Sequence, residues 1–184
     1  MTDAPIQTKS LKLVPFAPEH LRGLIRGYDI FARSFGFPAA EGLRDFFVSN
    51  DVSPDYLAPL TAATSADPWT HGFAIVHSGA GIVIGTAGFK GPPGADGIVE
   101  IAYAVAPTYQ GKGYATEAAH ALVAFASKDN RVRTIRAHTL PEMNASTSVL
   151  KKCGFQHVGE VTDPEDGLIW RWEKPNDSQA ALSK

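Results

Sequence analysis

Apolar and polar positions change period several times along the chain, and each change marks an element. Residues 9–16 (KSLKLVPF) alternate as a short strand does, and beyond Pro18 the residues Leu21, Leu24, Ile25 and Tyr28 recur at helical spacing. A second helix is predicted over 39–48, and the Pro-punctuated stretch 53–69 reads as a loop with at most one short helix. Three strands follow at 72–78, 82–90 and 98–105, separated by Gly79 to Gly81 and by GPPGADG. From Tyr114 to Lys128 the residues Ala115, Ala118, Ala119, Leu122 and Ala126 share one stripe, with Glu117 and Lys128 off it. A strand at 133–140 and a short helix come next, the helix capped by Asn144 and ended at Gly154. Two strands, about 155–161 and 168–174, meet at the turn DPEDG, and the polar tail PNDSQAALSK is predicted to stay disordered. This order predicts a mixed α/β fold. Short turns make most strand pairs antiparallel, while the helical crossover between the fourth and fifth predicted strands makes that pair parallel.

Composition narrows the class. A chain of 184 residues, 44% hydrophobic and 20% charged, fits one domain over 1–184, structured over about 9–174. Its single cysteine, Cys153, has no disulfide partner and is expected to be buried and inert in a reducing, cytoplasmic setting. The start MTDAPIQTKS lacks the pattern of a signal peptide, and no apolar run approaches the ~20 residues that span a bilayer, so no membrane partner is expected. A formal charge of -2 argues against nucleic acid. The cluster Lys128, Arg131, Arg133 and Arg136 reads as cations favouring a helix C-terminus. His71, His77, His138 and His157 show no metal-ligand spacing, so no metal is expected. Oligomeric state is left open, a homodimer included.

The chemistry concentrates in EIAYAVAPTYQGKGYATEAA, residues 100–119, which joins an apolar strand to the strongest helix. Gly111 and Gly113 near a helix N-terminus let backbone N–H groups converge on a phosphate or pyrophosphate, although such glycines also make ordinary tight turns. GKG lacks the Ser or Thr and the upstream glycine of a Walker loop. It also lacks the third glycine and downstream acid of a dinucleotide fingerprint, which disfavours an NAD-dependent oxidoreductase. QGKGYA does resemble the signature of the GNAT superfamily of acyl-CoA N-acyltransferases, through Gln110, Gly113 and Ala115. NASTSVLKKCGF, from Asn144 to Phe155, is similar to that family's fourth helix with its Gly-Phe ending. EIAYAV and PEMNASTSVLKKCGF lie nearest the branch of ribosomal-protein N-terminal acetyltransferases.

The resemblance implies a GNAT fold, with a sheet of about seven strands splayed between the fourth and fifth and about four flanking helices. It also implies acetyl-CoA as co-substrate, its pantetheine on the backbone of Tyr103, Ala104 and Val105. The pyrophosphate would lie on Gln110, Gly111, Lys112, Gly113, Tyr114, Ala115 and Thr116, and Asn144 would contact CoA further along. The acceptor would be a primary amine, at a protein N-terminus or in a small molecule, acetylated by direct attack in a ternary complex. The alternative is a CoA-binding sensor or interaction domain without turnover.

Transfer needs a base, an oxyanion donor and a route for the thiolate. A backbone N–H near Val105 suits the oxyanion. Glu100 is the one ionisable residue in IVEIAYAV. Buried alone it would have a raised pKa and suit a general base; paired with a Lys or Arg of a neighbouring strand it would be structural. The family's tyrosine acid on the fourth helix corresponds here to Leu150, and Ser146, one turn earlier, is the nominated acid, with direct departure of the thiolate as the other route. Glu165 in the DPEDG turn and His138 are reserve bases. Trp170 and Trp172 are expected to pack in the core or line the acceptor cleft.

Overall fold

A computed structural model of the chain describes residues 4–48, 58, 62–164 and 166–176. Among these, eight strands form a single sheet in the order β1-β2-β3-β4-β5-β6-β8-β7. The strands are β1 (Ile6–Gln7), β2 (Leu11–Pro15), β3 (Phe73–His77), β4 (Ile82–Phe89), β5 (Ile98–Val105), β6 (Thr134–Thr139), β7 (Gln156–Asp163) and β8 (Gly167–Pro175). Only β5 and β6 pair in parallel, as the crossover between them requires.

Six helices flank the sheet among the described residues: α1 (Pro18–Arg26), α2 (Tyr28–Phe35), α3 (Asp45–Val48), α4 (Pro68–His71), α5 (Tyr114–Ala126) and α6 (Ala145–Lys152). Four helices and seven strands were expected, and the differences have local causes. Gly27, at φ 155°, separates α1 from α2, so the chain starts a second helix. Gly42, at φ 85°, reduces the helix predicted over 39–48 to the single turn of α3. The extra strand β1 is two residues long and exists by pairing with β2. The tail packs one residue past β8: Asn176 is buried, and its Nδ2 donates to the Val132 carbonyl at 2.9 Å.

Strand alternation sends side chains to two cores. Phe73 and Ile75 of β3 join Ala118, Leu122 and Ala126 of α5, with Val149 and Leu150 of α6, on one face. Ala74 and Val76 meet Leu21, Leu24 and Phe31 of α1 and α2 on the other. Trp172 is in the first core and donates from Nε1 to Thr139 Oγ1 at 3.0 Å. Cys153 is buried there too, and burial pushes its thiol up to about 11, in keeping with an inert role. No helix among the described residues is long and apolar enough to cross a membrane. The basic cluster is partly neutralised by ion pairs, Arg136 with Glu173 at 2.6 Å and Arg131 with Asp129 at 2.7 Å.

Candidate active site

The parallel pairing of β5 with β6 covers Ile98↔Thr134, Val99↔Ile135 and Glu100↔Arg136, and stops there. Beyond Glu100 the two strands diverge: β5 stays paired with β4 as far as Val105, and β6 with β8 as far as Thr139. The wedge between them holds a cavity of about 320 Å³. Glu100 and Tyr103 line it from β5, His138 from β6, Ser146 and Leu150 from α6, and Asp166 from the β7–β8 turn. Two nominated catalytic residues far apart in sequence, Glu100 and Ser146, therefore share one cavity. Glu165 lies outside the described residues.

Glu100 is not alone. Its Oε1 accepts from Lys90 Nζ at 2.6 Å and from His138 Nδ1 at 3.0 Å. Burial by itself pushes the carboxyl up, but the hydrogen bonds and charges of His138 and Lys90 outweigh it and hold the group below its ordinary value of 4.5. The raised pKa expected of an unpaired acid is corrected accordingly: Glu100 is an ionised, hydrogen-bonded carboxylate at neutral pH. A depressed carboxyl pKa contributes stability above the unfolded value and loses it as pH falls through the folded value. Glu100→Gln should thus melt below the wild type at pH 7, and the gap should close between pH 4.5 and the folded pKa. Thermal melts from pH 7 to pH 3 check this, and a gap that widens in acid would contradict the pairing.

The other nitrogen of the same imidazole, His138 Nε2, is buried without a hydrogen-bond partner among the described residues. Such a group costs roughly 1–3 kcal/mol. Most buried structural histidines avoid that cost by finding a partner for each ring nitrogen.

At the far end of β5 the chain turns through a short 3-10 helix, Pro107–Tyr109, into the loop that precedes α5. Gly111 and Gly113 take left-handed backbone conformations, φ 74° and 85°, and Gly113 is the N-cap of α5. The first-turn amides of Tyr114, Ala115 and Thr116 have no intrahelical acceptor and supply a positive helix end. Side chains hold the loop from outside. Gln110 Nε2 donates to the Val105 carbonyl at 2.8 Å, and Lys112 Nζ donates to the Thr108 carbonyl at 3.0 Å. His77 Nε2 lies 3.0 Å from the Tyr114 hydroxyl, while Ala80 N–H donates to His77 Nδ1 at 3.0 Å. An Nδ1 that accepts leaves Nε2 as the donor, so Tyr114 keeps its own hydroxyl proton for another acceptor. Ala115 packs against the core, and the Thr116 carbonyl accepts from Cys153 Sγ at 3.7 Å. Val105 lies roughly 16 Å from Glu100 at ~3.3 Å per residue, so loop and cavity sit at opposite ends of one strand.

An acetyltransferase (GNAT) domain family model matches residues 10–156. The chain belongs to that family. The Bacillus subtilis protein named uncharacterized N-acetyltransferase YjdG is 30% identical over 111 residues, covering 60% of this chain and 64% of that protein. The chain spans still smaller shares of two further curated Bacillus relatives that it matches. Among solved structures, the ribosomal L7/L12 α-N-protein acetyltransferase RimL in complex with CoA superposes with a TM-score of 0.66 at 13% identity, over 95% of this chain and 99% of that one. A chimera of the spermidine N-acetyltransferase SpeG from Vibrio cholerae with hSSAT gives 0.63 at 16% identity, over 96% and 100%. At these identities the structural likeness speaks for the fold, which is the splayed, mostly antiparallel GNAT sheet.

Within this GNAT domain, the remaining expected residues have evident local roles. Asn144 caps α6, its Oδ1 accepting from Thr147 N–H at 3.1 Å while its own N–H donates to Thr147 Oγ1 at 3.0 Å. Tyr103 Oη donates to the Ser146 carbonyl at 3.5 Å, and burial pushes that phenol up. The sequence reading allowed Glu100 a Lys or Arg partner on a neighbouring strand without naming Lys90, and it did not foresee the Glu100–His138 bond or the Tyr103 hydroxyl against α6. The first had a signal. The hairpin around GPPGADG pairs Phe89 with Ile101, which sets Lys90 opposite Glu100. The second had none, because it depends on the register of a parallel pair formed across a whole helix. No group of metal-ligating side chains occurs among the described residues.

Proposed function

We propose that this chain is an acetyl-CoA-dependent N-acetyltransferase that moves the acetyl group to a primary amine by direct attack in a ternary complex. The observation that carries the reading is the shared cavity of Glu100, His138 and Ser146 at the point where β5 leaves β6, on the strand that also leads into the glycine loop. The pyrophosphate of CoA sits on Gln110 to Thr116, where two left-handed glycines and the first-turn amides offer N–H groups to an anion. Past Glu100, β5 has an edge free of ladder partners among the described residues, and pantetheine amides pair with it near Tyr103 and Ala104. The Gln110 side chain already occupies one lone pair of the Val105 carbonyl, so Val105 stands at the pyrophosphate end of β5, and a backbone N–H on the free edge nearer Glu100 serves the thioester oxygen.

The acceptor enters as an ammonium and must lose a proton before its nitrogen attacks the thioester carbon. The polar group of Lys90, Glu100 and His138 takes that proton. Collapse of the tetrahedral adduct breaks the C–S bond and releases CoA thiolate. Ser146 is placed in the same cavity to protonate it, and a thiol of pKa near ~8.5 also leaves unassisted at higher pH. Relatives in fold act on a protein N-terminus and on spermidine, and both acceptor kinds remain within this proposal.

The test combines binding and turnover. Acetyl-CoA at a hundredfold excess over its dissociation constant should stabilise the protein by about 2.7 kcal/mol. Free thiol should appear when spermidine or short peptides with free Ser or Ala N-termini are added. Binding with no turnover of any of these amines would favour a CoA-binding module without catalysis. A melting-temperature shift with NAD and none with acetyl-CoA would overturn both readings.

A further inference from the structure

We infer that Nε2 of His138 is the atom that takes the proton from the acceptor amine, and that Glu100 is a positioning residue that orients the ring. This rests on the acetyltransferase reading and assigns its proton transfer to one atom. The hydrogen bonding decides which nitrogen is available. Glu100, ionised and paired with Lys90 at 2.6 Å, can only accept, so His138 presents Nδ1–H to it across 3.0 Å. In the neutral ring the lone pair then lies on Nε2. That nitrogen is buried, has no partner among the described residues, and belongs to a side chain lining the cavity shared with Ser146 and Tyr103. Nε2 is closed to water, so no water bridges it, and the acceptor N–H must reach it directly on entering the cavity of about 320 Å³.

Charge favours the imidazole over the carboxylate for this work. Lys90 and His138 both donate to one oxygen of Glu100 and hold its pKa below the ordinary carboxylate range, which makes it a poor proton acceptor near neutral pH. An imidazole has an intrinsic pKa near ~6.5, close to the optimum for a base at neutral pH. The charged groups around the ring come from every neighbouring element. Glu100 on β5 and Asp166 in the β7–β8 turn favour the imidazolium that forms. Lys90 after β4 and Arg171, the register partner of His138 on β8, oppose it, while Arg136 on the same strand is neutralised by Glu173. The first proton moves from the ammonium nitrogen to Nε2 and the freed lone pair attacks the thioester carbon. As the C–S bond breaks, the still cationic adduct nitrogen gives up its second proton, which goes to the departing thiolate directly or through Ser146, and the imidazolium returns the first proton to solvent. Every bond and charge is accounted for without another reagent.

The test compares His138→Gln, Glu100→Gln and the wild type with acetyl-CoA and the best of spermidine and the Ser- and Ala-peptides. With His138→Gln, kcat near pH 7 should fall about 100-fold or more, the KM for acetyl-CoA should stay within about 2-fold, and the acidic limb of the kcat profile should disappear. With Glu100→Gln the limb should persist, because the Gln side-chain oxygen can still accept from His138 Nδ1–H and leave Nε2 as the proton acceptor. A limb that disappears with Glu100→Gln and survives in His138→Gln would make Glu100 the base and overturn the inference. An acceptor-independent arm follows the ring nitrogens of the wild type by NMR: neutral His138 should be the Nδ1–H tautomer, and an Nε2–H tautomer would overturn the inference even if both variants misfold. A wild type that binds acetyl-CoA and acetylates none of the amines would remove the enzyme reading itself. An active wild type with an unimpaired His138→Gln removes only the role of His138.

Discussion

Gly113→Asp should erase the acetyl-CoA-dependent rise in melting temperature while leaving the unliganded protein folded. Gly113 holds φ 85° at the N-cap of α5, and a side chain there would meet nothing within 4 Å. The space a Cβ would occupy is therefore open. Asp is among the residues that tolerate the left-handed region, so the backbone strain stays modest. The charge is the decisive change, because a carboxylate would stand at the helix end where we propose that the pyrophosphate binds. Affinity for acetyl-CoA should drop at least about 100-fold, roughly 2.7 kcal/mol. Gly113→Asn separates charge from backbone: it keeps shape and φ without the negative charge and should lose far less. Titration calorimetry with both variants checks the expectation. Wild-type affinity in a folded Gly113→Asp protein would place the pyrophosphate elsewhere.

Gly85→Ala should be among the most destabilising single-methyl additions in the molecule. A Cβ at this position of β4 would lie 2.3 Å from the Ala104 carbonyl oxygen and 3.1 Å from the Val105 Cα, both backbone atoms of β5. Backbone in a central sheet cannot step aside as a flexible side chain does, so β4 and β5 must part. The register of β3 with β4 also shifts next to this residue, between Ile75 and Val76. The cost should reach the upper end of overpacking, about 3 kcal/mol, which lowers the melting temperature of a chain this size by roughly 6–12 °C. Acetyl-CoA binding should weaken in parallel, because Ala104 and Val105 are the residues displaced. A melting temperature within about 2 °C of the wild type would show that the two strands have more room than this geometry allows.

Most strands and the two long helices of the second half could be read from the chain because each depends on neighbours in sequence. Period-two alternation in 98–105 and the alanine stripe of 114–126 are local properties, and β5 and α5 form where they predict. Pairing direction was equally legible, since a helical crossover can only produce the one parallel pair, β5 with β6. The glycine loop was recognisable for the same reason: Gly111 and Gly113 stand where the turn needs positive φ. The split of the first helical segment at Gly27 and the shortening of the second at Gly42 were missed because helical spacing continues past a glycine whose backbone does not. β1 has no pattern of its own; it is held by β2 and by Glu117, which accepts from Thr8 Oγ1 and Ser10 N–H at 2.6 Å each.

Glu100 as the one acid in an apolar strand, and Ser146 at the start of the later helix, were legible in the order of residues alone. That both line one cavity, and that Glu100 is an ionised partner of Lys90 and His138 rather than an isolated acid with a raised pKa, follows from how the elements pack together. Burial raises a carboxyl pKa and a nearby donor lowers it, and which effect wins is set by distances of about 3 Å between residues brought together by a hairpin on one side and a parallel crossover on the other. Periodicity records which face a residue takes along its own element; it carries no record of which residue of another element stands opposite.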